Sequence, residues 1–148
     1  MILSILFSFL SFLSPESVKV NVQAVNKQHI QKIDNRDVTF GVKEEMEEIL
    51  VNKGYSLDDS LGFTIQVNID SIYSPQQVLN IMGTKWLRKD YIVETSVRLP
   101  SGYYKGKGVR KTFIFAMFLD VENNEVPLNK KAFSKALQES LKETSKQF

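Results

Sequence analysis

The stretch VRKTFIFAMFL, residues 109–119, organises this chain, because it is the most apolar run outside the N-terminus. A short polar turn follows it, and the spacing of apolar residues then predicts a helix from about Asn129 to the C-terminus. A long apolar strand that leads directly into an amphipathic helix is the unit on which small α+β domains are built. The stretch therefore predicts a small α+β domain.

The composition fits one globular domain. The chain has 148 residues, of which 43% are hydrophobic and 24% are charged, which is enough apolar material for a single core. The 19 basic and 17 acidic residues leave a net charge of +2, too balanced to indicate nucleic-acid binding by itself. The chain has no cysteine, which excludes disulfides, thiolate metal sites, a cysteine nucleophile and a lipid-modified cysteine.

Residues 1–17 form a hydrophobic N-terminal segment, and its apolar run ILSILFSFLSFL (2–13) has two interpretations, a signal or anchor and a retained helix. The segment has the length of the apolar region of a secretory signal peptide, although no Lys or Arg precedes it and residues 14–17 give no clean cleavage site. As a retained helix it would reach only ~20 Å, too short to cross a bilayer, and residues 1–14 would lie at a membrane surface or pack on a partner. Its candidate membrane or subunit contacts are Ile5, Leu6, Phe9, Leu10, Phe12 and Leu13.

The remaining residues, 18–148, are predicted to form one domain in the order β-α-β-β-β-α. Alternating apolar residues predict strands over about 18–24, 63–70, 91–99 and 103–119, and helical spacing predicts helices over about 38–53 and from Asn129. Asp37 or Thr39 would cap the first helix, and Gly54 would end it in a left-handed conformation. Ser74 and Pro75 are predicted to start a short helical turn that ends before Gly83, and residues 100–102 predict a hairpin. We expect a four-stranded, mainly antiparallel sheet with both helices packed on one face.

The fourth predicted strand has unusual residues on both faces. Tyr104, Gly106 and Gly108 share one face, and the glycines indicate a bulge, a bend or a close backbone approach. Farther along, Phe113, Phe115, Met117 and Leu119 are predicted to face the core, and Ile114, Ala116 and Phe118 the opposite side. Because a sheet with helices on one side does not need two apolar faces, we expect the N-terminal segment or another subunit to cover the second face. Ile114 and Phe118 are the candidate contacts there.

A group of basic residues is the main candidate binding site. Lys105, Lys107, Arg110 and Lys111 have no acidic residue between them, and Tyr103 and Tyr104 lie beside them. Across the hairpin, Arg88, Lys89 and Trp86 are expected to lie nearby. The group could bind phosphate on anionic lipids, lipopolysaccharide or nucleic acid. Alternatively, these are lysines of a solvated edge strand, where they discourage pairing with other sheets, and Trp86 covers the edge of the core.

No pattern in the sequence indicates catalysis. His29 is the only histidine, in a polar loop without a Cys or carboxylate partner. The segment GYYKGKG, residues 102–108, lacks the glycine spacing and the Ser or Thr of a phosphate-binding loop. We therefore expect a non-enzymatic protein without a metal, a cofactor or a small-molecule substrate.

The layout resembles that of a known family. A hydrophobic leader and a Val-rich strand precede a helix that ends in Gly-Tyr, FGVKEEMEEILVNKGYSL (residues 40–57). A strand, FTIQVNIDSIYS (63–74), a hairpin and a helix with Ala and Leu spacing, KKAFSKALQESLKE (130–143), follow. Over residues 18–148 this resembles the YajG-like small envelope lipoproteins and related periplasmic α+β modules. The resemblance implies an outer-membrane-associated, non-enzymatic protein that assembles with partners, but the absence of cysteine rules out its lipid anchor.

Two functions follow as hypotheses. The first is an accessory or interaction protein of the bacterial periplasm or cell envelope that binds protein partners or forms a homo-oligomer. The second is a structural subunit of a phage virion, a secretion apparatus or a motility machine, with the N-terminal helix retained and buried against neighbours. A nucleic-acid partner is the less favoured reading, because the charge is balanced.

The intact mass of the native protein separates these hypotheses. Export through a cleaved signal peptide should remove about 14–17 N-terminal residues, because such segments are cut off after translocation. A native mass that still includes Met1 would contradict cleavage and favour the retained helix.

Overall fold

A computed structural model describes residues 19–26, 35–58, 63–116 and 126–148. The predictions for residues 1–17, for His29, and for Met117, Phe118 and Leu119 lie outside these ranges. The chain is mixed α+β, as the sequence predicts. Its elements are β1 (Lys19–Asn26), α1 (Asn35–Asn52), β2 (Ser56–Leu57), β3 (Phe63–Tyr73), β4 (Gln76–Ile81), β5 (Thr84–Leu99), β6 (Gly102–Phe115) and α2 (Lys130–Ser145).

The sheet is organised around β5, which has 16 residues. One edge of β5 pairs antiparallel with β6, from Trp86 opposite Phe115 to Leu99 opposite Gly102. The other edge pairs antiparallel with β4 near its start and with β3 near its end. β1 lies beyond β3 in parallel orientation, and β2 pairs with β1. Within the described residues the sheet therefore has six strands, whereas four were predicted.

The strands that were not predicted are β2 and β4, and residues 76–81 form β4 and not the predicted helical turn. β4 pairs residue for residue with β5, from Gln76 opposite Lys89 to Ile81 opposite Thr84. Met82 and Gly83 join the two strands with φ angles of 51° and 76°, as a tight two-residue hairpin requires. β3 and β4 follow each other along β5 and are separated at Pro75, which has no N–H to donate to a ladder.

The first helix ends as predicted but begins earlier. α1 starts at Asn35, so Asp37 and Thr39 lie inside the helix and are not its caps. At its end the Tyr55 N–H donates to the Leu50 carbonyl at 3.0 Å, and the Gly54 N–H donates to the Val51 carbonyl at 2.9 Å. Gly54 has a φ of 92°, so this is a Schellman ending with glycine in its left-handed position.

Both helices contribute to one hydrophobic core on one face of the sheet. Val42, Met46 and Leu50 of α1 are fully buried, at the spacing that the sequence predicts. The residues of α2 that face the sheet are buried too, among them Phe133, Ala136, Leu137, Ser140, Leu141 and Thr144. They pack against alternate residues of the central strands, among them Ile65, Val67, Ile69, Tyr91, Val93 and Val97.

The start of α2 is fixed by two hydrogen bonds. The Asn129 side chain accepts from the Ala132 N–H at 3.0 Å, so Asn129 is the N-cap of α2. The Asn129 N–H donates to the hydroxyl of buried Tyr91 at 2.8 Å. The cap is thus attached to the central strand, and this sets the position at which α2 begins on the sheet.

The glycines of β6 provide a close approach between strand and helix. A Cβ atom on Gly106 would lie 2.1 Å from the Ser140 carbonyl oxygen, and one on Gly108 would lie 1.8 Å from the Ala136 carbonyl oxygen. Neither distance is compatible with a side chain, and both obstructing atoms belong to the helix backbone. Of the alternatives in the sequence, a bulge, a bend or a close approach, the structure shows the last.

A buried hydroxyl network fills the seam between α2 and the sheet. Ser140 donates to the Gly106 carbonyl at 2.9 Å, and Thr144 donates to the Ser140 carbonyl at 2.9 Å. The Thr95 hydroxyl lies 2.8 Å from the Ser140 hydroxyl and 3.2 Å from that of Thr144. Because the Ser140 and Thr144 protons are used, Thr95 is the donor to one of them.

The end of β6 has the opposite orientation to the predicted one. Phe113 and Phe115 were expected in the core, but they are 53% and 44% exposed. Ala116 is buried with Leu87, and Ile114 packs against them, on the same side of the sheet as the helices. Apolar residues occupy both sides of this segment, so its hydrophobicity could not distinguish the two faces.

Alanine substitutions at the β6 glycines test the close approach. Gly106→Ala and Gly108→Ala should each lower the free energy of unfolding by about 3 kcal/mol or more, because the helix must move outward. The melting temperature should fall by about 6–12 °C in each variant. Gly41→Ala is the control: no atom lies within 4 Å of its Cβ position in α1, and alanine there should stabilise by about 0.5–1 kcal/mol. Equal melting temperatures for the three variants would contradict the packing described here.

Candidate interaction surface on the helix-free face

The second face of the sheet, called here the open face, contacts neither helix within the described residues. Its central rows follow from the strand register, since side chains directly opposite each other in a pair lie on the same face. From one end of β5 to the other, the rows contain Trp86 with Phe115, Arg88 with Phe113, Asp90 with Lys111, Ile92 with Val109, Glu94 with Lys107, Ser96 with Lys105, and Arg98 with Tyr103. The open face is therefore apolar at one end and mostly polar or charged over the rest, where the Ile92–Val109 row is the apolar exception among these rows.

The apolar end belongs to a part of the sheet that extends past the helices. We call it the distal ribbon: β4, the β4–β5 turn and β5 up to Lys89 (76–89), with the end of β6 and Ala116 (112–116). Within the described residues neither helix contacts β4. On the helix side, the ribbon's buried cluster consists of Leu87 and Ala116, with Ile114 and Val126 packed against them. The ribbon therefore has little interior of its own.

Aromatic side chains dominate the open face of the distal ribbon. The rings of Trp86 and Phe115 lie 5.3 Å apart with an interplanar angle of 71°, an edge-to-face contact. Leu79 of the neighbouring strand β4 is paired with Trp86, and Phe113 is two residues before Phe115 on the same face of β6. These side chains form an apolar patch on a sheet surface that neither helix covers in the described part of the chain, which is the arrangement expected of an interaction surface.

The tip of the ribbon is also apolar. Ile81 is 47% exposed and Met82 is 100% exposed. The first position of this kind of turn favours Asn, Asp or Gly, because φ must be positive. A methionine with a φ of 51° is therefore a costly choice for the turn itself.

The charged rows next to the ribbon are internally paired. The Arg88 Nε–H donates to an Asp90 carboxylate oxygen at 2.8 Å. This hydrogen bond lowers the pKa of Asp90 below its usual value, against a smaller opposing effect of burial. Glu94 accepts from the Ser71 hydroxyl at 3.0 Å and lies 3.2 Å from the Lys107 Nζ. The hydrogen bond from Ser71, followed by that from Lys107, lowers the pKa of Glu94.

The predicted basic site is divided between the two faces of the sheet. Lys105, Lys107, Lys111, Arg88, Trp86 and Tyr103 lie on the open face, whereas Arg110, Lys89 and Tyr104 lie on the helix side. Arg110 is 3.5 Å from a carboxylate oxygen of Glu139 in α2. Lys89 is buried and donates to the Val126 carbonyl at 2.6 Å. The alternation of a strand thus separates residues that are neighbours in sequence.

β6 has a free edge in the described part of the sheet, which agrees with the edge-strand interpretation of its lysines. Its even-numbered residues direct their backbone groups to β5, as the Ala116 N–H does to the Lys85 carbonyl at 3.0 Å. The odd-numbered residues direct theirs outward, and α2 covers some of them: the Val109 N–H donates to Glu139 at 3.3 Å, and Gln147 donates to the Lys105 carbonyl. Lysines and helix side chains together oppose further strand pairing at this edge.

The described residues offer no metal centre, since no three or more Asp, Glu, His or Cys side chains lie close enough together to hold an ion. None of the helices in the described ranges is long and apolar enough to cross a membrane. Sequence reasoning missed Phe113, Phe115, Ile81 and Met82 as exposed residues. The alternation of side chains along β6 could have identified the two phenylalanines. Gly106 and Gly108 lie on the helix side, so the odd-numbered Phe113 and Phe115 lie on the opposite face.

Acid should weaken the ion pairs of Asp90 with Arg88 and of Glu94 with Lys107. The folded pKa values of Asp90 and Glu94 are lowered, so their contribution to stability is complete above the unfolded pKa values and is lost as the pH falls through the folded ones. We expect the free energy of unfolding to decline between about pH 5 and pH 2, and less steeply in Asp90→Asn. Glu94→Gln should have the smaller effect, because the Glu94 side chain is 45% exposed and that of Asp90 is 13% exposed. Parallel pH profiles for wild type and Asp90→Asn, measured by urea unfolding, would contradict this assignment.

Comparison with known proteins does not place the chain in a family. No known protein family matches the sequence, and no curated protein does. Among solved structures, a minor lipoprotein from Acinetobacter baumannii is similar at 12% identity and a TM-score of 0.42, over 87% of this chain and 85% of that one. A TM-score of this size assigns neither a fold family nor a function.

Proposed function

We propose that this protein is a non-enzymatic interaction protein of the bacterial cell envelope that works through the open face of its distal ribbon. The observation that carries the proposal is the exposure of Phe113 and Phe115 beside Trp86, on a sheet surface that neither helix contacts within the described residues. Exposed aromatic side chains that form a contiguous patch are enriched at interaction sites, because their burial by a partner is strongly favourable.

The charges of the open face support binding over catalysis. Arg88 is paired with Asp90, and Lys107 is paired with Glu94, within the sheet itself. A carboxylate that is held by a guanidinium or an ammonium group has a lowered pKa and is a poor general acid or base at neutral pH. The envelope location is proposed from the hydrophobic segment 2–13, whose length suits an export signal.

Site-specific photo-crosslinking in the native host tests the proposal. A photoreactive phenylalanine analogue at position 113 should give a crosslinked product with a protein or a lipid. The control places the same analogue at Phe40, a phenylalanine of α1 that is 60% exposed and remote from the ribbon. We expect no discrete product from position 40, since a single exposed apolar side chain does not by itself form an interaction site.

A product of twice the monomer mass would identify a second copy as the partner and would support an assembly role. Absence of any product at position 113, or the same products from positions 113 and 40, would refute the proposed function.

A further inference from the structure

We propose that the distal ribbon docks on an anionic lipid bilayer, with the Met82–Gly83 turn inserted among the headgroups and the aromatic patch at the level of the interface. The inference rests on the proposed function, because it names the partner of the same surface. It concerns the described residues of the ribbon and does not involve residues 1–18.

The turn residue is the first reason. Met82 is completely exposed and has a positive φ, at a position where Asn or Gly would form the same hairpin at lower cost. The chain thus places an unbranched, flexible apolar side chain at the outermost point of the sheet. A bilayer is the environment in which such a side chain gains most, since it is buried there without a preformed pocket.

The depth of the apolar surface is the second reason. Ile81 is paired with Thr84, and Phe113 lies opposite Arg88. The span from Thr84 to Arg88 along β5 corresponds to ~13 Å at the rise of a strand. Apolar faces of interfacial elements are buried ~5–10 Å into the headgroup and acyl boundary. The part of the ribbon from Thr84 to Trp86, ~7 Å along β5, therefore matches this depth, and the row of Phe113 lies at its outer edge. Trp86 then lies at the level where tryptophan is enriched.

The distribution of charge is the third reason. The charged residues in the described ribbon are Lys85, Arg88 and Lys89, all of them basic, and Lys111 follows at its boundary. Asp90, the nearest described carboxylate along β5, lies ~20 Å from the turn at the rise of a strand. It is also paired with Arg88. Lys89 is buried against the Val126 carbonyl, so the basic collar behind the apolar tip consists of exposed Lys85 and Lys111, with Arg88 sharing its charge with Asp90. This collar is complementary to anionic headgroups, since each nearby cation contributes to binding within a Debye length.

The shape of the ribbon favours a bilayer over a protein groove. Its most exposed apolar side chain lies on a two-residue turn, and apolar residues occupy both faces near the tip, with Val78 41% exposed on the helix side and Ile81 on the open face. A protein partner would have to enclose the hairpin from both sides. A lipid surface surrounds an inserted hairpin without such complementarity.

Trp86 makes the test specific, because it is the only tryptophan of the chain and lies in the ribbon. The full-length protein is mixed with phosphatidylcholine vesicles that contain phosphatidylglycerol and acyl chains brominated near the headgroup. We expect quenching of Trp86 fluorescence, and weaker quenching with phosphatidylcholine alone. Vesicles that bind the protein while Trp86 remains unquenched would overturn the proposal, since another part of the chain would then make the contact.

Met82→Asn separates binding from folding. Asn is favoured in this turn, so the variant should melt at the same or a higher temperature than wild type. Its affinity for the anionic vesicles should nevertheless fall about tenfold, because the inserted apolar side chain is lost. Phe113→Ser should show a similar loss, whereas Phe40→Ser, which removes a comparably exposed phenylalanine from α1, should bind like wild type. Unchanged affinity of both Met82→Asn and Phe113→Ser would refute the insertion.

A variant and a matched control test the basic collar. Lys85→Gln should weaken binding to anionic vesicles about fivefold and leave binding to phosphatidylcholine unchanged. Lys131→Gln, at an exposed position of α2, should change neither. If vesicles of neither composition quench Trp86 but position 113 crosslinks to a protein, the lipid inference fails and the proposed function stands. If position 113 also gives no product, both fail.

Discussion

The close contact of α2 with β6 is the constraint on which the rest of the fold depends. The helix backbone lies where Cβ atoms of Gly106 and Gly108 would be, so the helix can rest only on a strand that has glycine at both positions. This contact brings Ser140 and Thr144 within reach of Thr95 and buries their hydroxyl groups with partners. It also decides which side of β6 faces inward. Because side chains alternate along a strand, the contact also sets the face on which the remaining side chains of β6 lie, and it puts Phe113 and Phe115 on the open face.

The lengths of α2 and β5 explain why part of the sheet lies beyond the two described helices. α2 and β5 both contain 16 residues. At 1.5 Å per helical residue and about 3.3 Å per strand residue, α2 is ~24 Å long and β5 is ~50 Å long. A helix of this length can cover only half of the strand, and the Asn129–Tyr91 hydrogen bond places it on the later half. The distal ribbon is the remainder.

Much of the architecture could be predicted from the sequence, because the relevant signals are local. The Asn129 cap, the Gly54 helix end and the buried stripe of α2 follow from residue types at fixed spacings. The strand β4 could not be predicted in this way, since its turn has Met82 where a hairpin signal would have Asn or Asp. Pro75 added to the error, because it suggested the start of a helix and in fact separates two strands.

The candidate site was harder to predict than the fold. The basic residues of 105–111 are contiguous in sequence, but strand alternation directs Arg110 to Glu139 and Lys107 to Glu94 on opposite faces. The apolar residues of 113–116 have the same ambiguity, and only the position of the β6 glycines resolves it. Local composition identified the segment that carries the surface, whereas the identity of the exposed residues depends on a helix contact elsewhere in the strand.

The break at Pro75 gives the sheet a built-in limit of cooperativity. One backbone hydrogen bond, from the Asp90 N–H to the Pro75 carbonyl at 3.0 Å, bridges the β4 and β3 ladders on β5, so β4 can separate from β5 while the β3 pairing stays intact. The small cluster of Leu87 and Ala116 offers far less resistance to such an opening than the main core does. The ribbon and the helix-covered half are thus two units of unequal local stability that share one strand. Partial unfolding would start at the ribbon, while the helix-covered half of the sheet would stay folded.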